Sequence, residues 1–178
     1  MKPRVVLVGL PGSGKTTIGK RVANALGVEL VDTDHLLESQ AGIPCGKLLT
    51  TVGEPEFRRL EALAVKDALN TSGVVSLGGG AVTTESTRAA LEDHTVVYLN
   101  VSIEEGVRRT SRTDSRPLLN VTNPREKYQQ LFDERSELYE SVSDFMVHCD
   151  SKGPQRVVAT ILQFLEDDAA DRAHVTDN

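Results

Sequence analysis

The sequence predicts an α/β fold, a parallel sheet covered by helices on both faces, on three observations. Short β-branched runs alternate with amphipathic stretches along the chain. The first of those runs leads directly into a glycine-rich octapeptide that opens a helical stretch. With 178 residues, 39% of them hydrophobic, the chain suffices for one full core and hardly for two.

The elements follow in order. Arg4 to Val8 is a β-branched run that stops at Gly9, and Lys15 to Leu26 continues as a helix. Leu30 to Asp32 is a second short strand. A helix from Pro55 to Asn70 starts at a first-turn proline. Val74 to Leu77 gives a third strand, ended by Gly78-Gly79-Gly80, and Glu85 to Leu91 a short helix. Thr95 to Leu99 is a fourth strand, followed by a helix over Ile103 to Thr110. Asn123-Pro124, an N-cap residue and a first-turn proline, opens a long helix to Val142. Phe145 to His148 makes the fifth strand and Pro154 to Leu165 the last helix. We expect a single domain over 1–166. Residues 111–123, polar and holding Pro117, read as a lid; residues 167–178, rich in acids and without apolar periodicity, read as an unstructured tail.

Composition excludes several classes of function. The formal net charge is -6 and no long basic run occurs, which argues against nucleic-acid partners. No apolar run approaches the roughly 18 residues of a membrane span, and the N-terminus has no signal-peptide pattern, so a cytoplasmic protein is expected. Cys45 and Cys149 lie too far apart for a metal or disulfide motif, and the four histidines form no ligand spacing.

Gly9-Leu10-Pro11-Gly12-Ser13-Gly14-Lys15-Thr16 fits G-x-x-x-x-G-K-[ST], a phosphate cradle between a strand and a helix. In such a cradle Lys15 contacts the β- and γ-phosphates of a nucleotide and Thr16 holds Mg²⁺. No N-K-x-D guanine signature is present, and the sole D-x-x-G, Asp150 to Gly153, follows the last strand, which disfavours a GTPase.

A second group of residues suggests an acceptor site. Asp32-Thr33-Asp34 closes the second strand, and if extended geometry continues, both carboxylates face the ligand crevice. Asp32 would then support Mg²⁺ and Asp34 would orient or deprotonate an attacking hydroxyl, or else cap the next helix. Arg135 interrupts the apolar stripe Tyr128, Leu131, Phe132, Leu138, Tyr139, Val142, which makes it a candidate carboxylate clamp or a side chain that snorkels outward. Arg58 lies three residues before Glu61, a spacing that serves either a surface ion pair or a second clamp. Gly78, Gly79 and Gly80 at a strand's carboxyl end allow a ligand close to the backbone. Arg116, in the expected lid, could reach a transferring phosphoryl group on closure.

The GLPGSGKT loop, the D-T-D after strand two, G-E-x-x-F-R-x-x-E at Gly53 to Glu61, the triple glycine, Arg116-Pro117-Leu118-Leu119 and Arg135 occur in an order that resembles the shikimate kinase family from about Arg4 to Leu165. The resemblance implies a nucleoside-monophosphate-kinase fold with strand order 2-3-1-4-5 and a helical substrate-binding segment at about 33–61. It implies transfer of the ATP γ-phosphoryl group to the 3-hydroxyl of shikimate with Mg²⁺, a step toward chorismate and the aromatic amino acids. It assigns ATP phosphates to Gly12, Ser13, Gly14, Lys15, Thr16 and Thr17, Mg²⁺ to Thr16 and Asp32, and shikimate to Asp34, Arg58, Gly78, Gly79, Gly80 and Arg135. By the same resemblance Lys15, Asp34 and Arg116 carry catalysis, while Arg109 and Pro154 flank the adenine. Lys152 stands where some members have an adenine-side Arg, and Lys cannot stack as Arg does. Leu48-Leu49 replaces Ile-Phe, and Pro44-Cys45 replaces Ser-Ile. A monomer with ATP and shikimate as its only partners is expected. The remaining possibilities are a gluconate or nucleoside-monophosphate kinase on the same fold, or a non-catalytic nucleotide-binding module.

Overall fold

The structure, a computed structural model, describes residues 1–112 and 122–176. Five strands form one sheet in the order β2-β3-β1-β4-β5: β1 (Val5–Val8), β2 (Leu30–Asp32), β3 (Val74–Ser76), β4 (Val96–Asn100) and β5 (Phe145–His148). Every neighbouring pair is parallel. The helices are α1 (Lys15–Leu26), α2 (Thr33–Ala41), α3 (Cys45–Val52), α4 (Glu54–Leu69), α5 (Glu85–Leu91), α6 (Ile103–Thr110), α7 (Pro124–Val142) and α8 (Pro154–Thr176). Class, strand order and strand positions agree with the sequence reading.

Alternation along the strands divides the core into two layers. Val6, Val8, Val75, Leu77, Val96 and Tyr98 pack with α4 and α7 on one face. Val5, Leu7, Val74, Val97, Leu99 and Val147 pack with α1 and α8 on the other. A smaller cluster, Leu37, Leu48, Phe57 and Ala64, joins α2, α3 and α4 into a unit at one end of the sheet. Among the described residues no helix is long and apolar enough to cross a membrane.

The chain leaves β1 toward β2 on one side of the sheet and later enters β4 on the other, so the switch point lies at β1. Leu7 pairs with Ser76, and Leu77 N-H donates to Leu7 C=O at 3.0 Å, which keeps the carboxyl ends of β1 and β3 level. The two loops that follow, Gly9 to Gly14 and Gly78 to Gly80, therefore emerge side by side.

Two expectations need correction. Asp34 does not extend the strand, because α2 begins at Thr33. The polar stretch from 167 is helical as far as Thr176, continuing α8. Gln163 bonds Asp167 and Arg172 bonds Asp168, each four residues apart, and Arg172 and Asp168 both reach Thr95 at the head of β4. Polar pairs thus carry the helix where apolar periodicity ends.

Asn123 caps α7 as predicted, its side chain accepting from Glu126 N-H at 3.2 Å. Helix α7 packs against α6 through Gly106, where a Cβ would overlap the buried Tyr128 ring. Gly106→Ala is therefore expected to destabilise the fold by about 1–3 kcal/mol, read as a lower urea midpoint with an unchanged slope.

Candidate active site

Gly12 and Gly14 take φ of 80° and 94°, backbone that side chains rarely adopt, so the cradle needs glycine at both places. Gly14 is the N-cap of α1 and supplies no capping side chain, which leaves the first-turn N-H groups facing the cleft for anionic oxygens. Lys15 Nζ donates to Gly9 C=O at 2.7 Å and to Leu10 C=O at 3.1 Å, an arching position over the loop. Ser13 is buried, while Thr16 and Thr17 are exposed on the first turn.

Asp32 has two functions, one for each oxygen. Oδ1 accepts from the N-H groups of Asp34 and His35 at 3.0 and 3.3 Å, so Asp32, not Asp34, caps α2. Oδ2 accepts from Thr16 Oγ1 at 3.0 Å, which pairs two hard oxygen donors beside the cradle, a fit for Mg²⁺. Asp34, in the first turn of α2, reaches the same cleft by a different route from the one the strand reading gave it. Its carboxylate lies against Gly78, whose N-H donates to Thr33 Oγ1 at 2.9 Å.

The acceptor side is built around two arginines and one acid. Arg58 Nη1 donates to Glu61 Oε1 at 2.8 Å. Glu61 is 3% exposed, so this is no surface pair, and the spacing that left the question open is resolved. Burial raises the Glu61 pKa, opposed by the Arg58 cation and hydrogen bond and reinforced by Asp34. Arg135 is 5% exposed on the core-facing stripe of α7, which rules out snorkelling. The Nε atoms of Arg58 and Arg135 are buried and have no hydrogen-bond partner among the described residues. Such orphaned donors are expected where an anionic ligand completes a site.

The triple glycine serves these side chains. None of the three has positive φ. A Cβ on Gly78 would overlap the Asp34 carboxylate, and one on Gly80 would overlap the Arg58 guanidinium. One on Gly79 would stand 3.2 Å from Pro11 Cδ and 3.5 Å from Arg135 Nη1. The turn is glycine for room, not for dihedral freedom.

On the nucleotide side, Arg109 is held at three nitrogens. Nε donates to Glu105 at 2.7 Å, Nη1 to Gly12 C=O at 3.3 Å and Nη2 to Cys149 C=O at 3.2 Å. Glu105, which also binds Arg108, is pushed down to about 2 by these hydrogen bonds and stays ionised. Lys152, on the connection after β5, and Pro154, the first residue of α8, are exposed and lie outside the cleft lining. Arg116 and most of the expected lid lie outside the described residues.

Lys15, Thr16, Asp32, Asp34, Arg58, Glu61, Arg109 and Arg135 border one cleft of about 800 Å³. Its wall also includes Leu49, where the resemblance implies an aliphatic wall in place of an aromatic one, and Glu38 and Cys45, neither of them nominated as a contact from sequence. Glu38 Oε1 accepts from Cys45 N-H at 2.9 Å, supplying a cap that α3 lacks of its own. Burial, with Asp34 and Glu38 nearby, pushes the Cys45 thiol up to about 12, so it is unreactive at neutral pH. Knowing that α2 is helical would have flagged Glu38, one turn beyond Asp34. A second depression of about 540 Å³, between α5 and the end of α7, holds none of the motif residues.

A phosphate cradle sharing a cleft with the Asp34 carboxylate and the Arg58 and Arg135 guanidinium groups, on a sheet of order 2-3-1-4-5, defines a P-loop kinase of small molecules. The shikimate kinase family model matches residues 11–166. Shikimate kinase from Corynebacterium jeikeium is 66% identical over 94% of this chain and 90% of its own. The Mycobacterium ulcerans enzyme is 51% identical over 94% and 91%. The solved shikimate kinase from Acinetobacter baumannii in complex with shikimate superposes with a TM-score of 0.88 at 32% identity, covering 94% of both chains. The chain belongs to the shikimate kinase family. A gluconokinase from Sinorhizobium meliloti, 19% identical over 98% of this chain and 97% of its own with a TM-score of 0.62, shares the fold alone.

Arg58 keeps its alignment only while Glu61 is ionised. Because the Glu61 pKa is raised, acidification should neutralise it above the ordinary glutamate range. The KM for a carboxylate acceptor should therefore rise as pH falls through that value. In Glu61→Gln the KM should be about tenfold higher at every pH and the acid limb should vanish, as read from KM–pH profiles.

Proposed function

We propose that the protein transfers the γ-phosphoryl group of ATP to the 3-hydroxyl of shikimate, giving shikimate 3-phosphate and ADP. The observation that carries this reading is the meeting, in one cleft, of the phosphate cradle with Asp34, Arg58, Arg135 and the glycine turn. A substrate with both a carboxylate and hydroxyls suits that set: two guanidinium forks for the carboxylate, Asp34 and the backbone of Gly78 to Gly80 for the hydroxyls. The family membership and the shikimate named for the Acinetobacter baumannii complex support the same choice.

The chemistry asks for alignment and charge neutralisation. Gly12 to Thr17 cradle the ATP phosphates, and Lys15 turns from its loop carbonyls to the β- and γ-oxygens. Thr16 and Asp32 would hold Mg²⁺, which offsets phosphate charge when bound. Asp34 accepts the proton of the attacking hydroxyl, Arg58 and Arg135 fix the acceptor by its carboxylate, and Arg109 with Pro154 borders the adenine. Arg116, outside the described residues, would add a cation at the transferring group. Lys15, Thr16, Thr17, Asp32, Asp34, Arg58, Arg109 and Arg135 of one chain line a single cleft, so a monomer suffices, and a cytoplasmic location gives access to ATP.

A coupled ADP-release assay tests the reading. Turnover with shikimate, and none above background with gluconate or nucleoside monophosphates, is the expected result; the reverse pattern, or ATP binding with no acceptor, overturns it. Within that assay Lys15→Ala should lower kcat by about 10²-fold or more. Arg58→Ala and Arg135→Ala should chiefly raise the shikimate KM, by about 10-fold or more.

A further inference from the structure

The donor loop and the acceptor loop touch, and one helix holds both. Pro11 of the cradle lies against Gly79, as the 3.2 Å approach of a Gly79 Cβ to Pro11 Cδ shows. Tyr128 OH donates to Pro11 C=O at 2.8 Å, and Tyr139 OH donates to Gly79 C=O. Both tyrosines sit on α7 and both are wholly buried. They are eleven residues apart, about three helical turns, and Arg135 falls between them on the same face, seven residues after one and four before the other.

Each hydroxyl donates to its carbonyl, and the Tyr139 oxygen also meets the Arg135 guanidinium. Burial holds the Tyr139 proton far above neutral pH, and the phenol rings are fixed by neighbours. Tyr128 fills the groove that Gly106 leaves in α6, and Tyr139 packs on Tyr98 with centroids 5.1 Å apart. A buried phenol that gives its only proton to a loop carbonyl constrains that loop.

We propose that α7 is a strut that sets the spacing between phosphoryl donor and acceptor, with Tyr128 and Tyr139 as positioning residues that touch neither substrate. This rests on the kinase reading above. Arg135 grips the acceptor from the same rigid element that pins both loops, so the cradle, the glycine turn and the clamp move as one body. In-line transfer tolerates little misplacement, and loosening either loop should slow the chemical step more than it weakens binding.

Tyr128→Phe and Tyr139→Phe remove one oxygen each and keep the ring. Wild type must first turn over shikimate; failure there counts against the functional reading, not the strut. In each variant kcat is expected to fall about 5- to 20-fold while both KM values stay within about twofold. A strut is broken by losing either end, so the double variant should be no slower than the slower single, a non-additive result. Losses that multiply, a change confined to the KM of one substrate, or wild-type kcat with only a lower melting temperature would overturn the proposal. If Tyr128→Phe does not accumulate, Tyr139→Phe decides alone by its split between kcat and KM.

Discussion

Two guanidinium groups are held in the wall of the cleft against one deeply buried carboxylate, Glu61, and much of the local structure follows from that imbalance. A buried cation without a counter-charge is costly, and two cannot be matched by a single acid. Asp34 contributes from the first turn of α2, yet its carboxylate faces the glycine turn. Positive charge therefore remains directed at the cleft: Arg135 Nε has no hydrogen-bond partner among the described residues, and Arg58 Nε faces the exposed Glu54 carboxylate at 3.7 Å, beyond hydrogen-bond reach. A ligand carboxylate supplies the missing charge, and a hydrophobic or cationic ligand cannot. The wall selects by what it lacks.

Holding that wall requires backbone without side chains. The guanidinium of Arg58 fills the space where Gly80 would carry a Cβ, and the Asp34 carboxylate does the same at Gly78. Any larger residue at Gly78 or Gly80 would displace Asp34 or Arg58, the groups proposed to read the substrate. The turn is supported from behind instead, by Thr33 at Gly78 N-H and by Tyr139 at Gly79 C=O. Because β1 and β3 end level, the phosphate cradle comes up beside this turn, and the parallel sheet fixes the coarse separation of the two substrates.

How much of this the sequence reveals depends on which force places each residue. Strands β1 to β5 and helices α1 and α4 to α7 are legible because they bury a face and so carry a period. Helices α2 and α3 bury little: Thr33 and Leu37 in one and Leu48 in the other leave no stripe to count. The extension of α8 is set by i,i+4 polar pairs and by Thr95, some seventy residues away in sequence. The cradle was readable as a motif, since its chemistry lies in consecutive residues. The Asn123 cap was readable outright, but the cap of α2 and the clamps were readable only as alternatives. Spacing offered Arg58 and Glu61 as a pair but not their depth, and it could not tell that Asp32 rather than Asp34 would cap α2, because both satisfy the local rule.

Tyr128 and Tyr139 show the same boundary from the other side. In the sequence they belong to an apolar stripe, and burial in the first core layer agrees with that. The phenolic oxygens add something a stripe does not encode, a donor aimed out of the core at a loop carbonyl. A phenylalanine would satisfy the packing and leave both carbonyls without a donor from α7. Arg135 occupies the stripe for a related reason: a position that faces the core near its edge also faces whatever the edge encloses. On this helix the core-facing period and the cleft-facing period coincide, so residues that hold the fold together also set the geometry of the site.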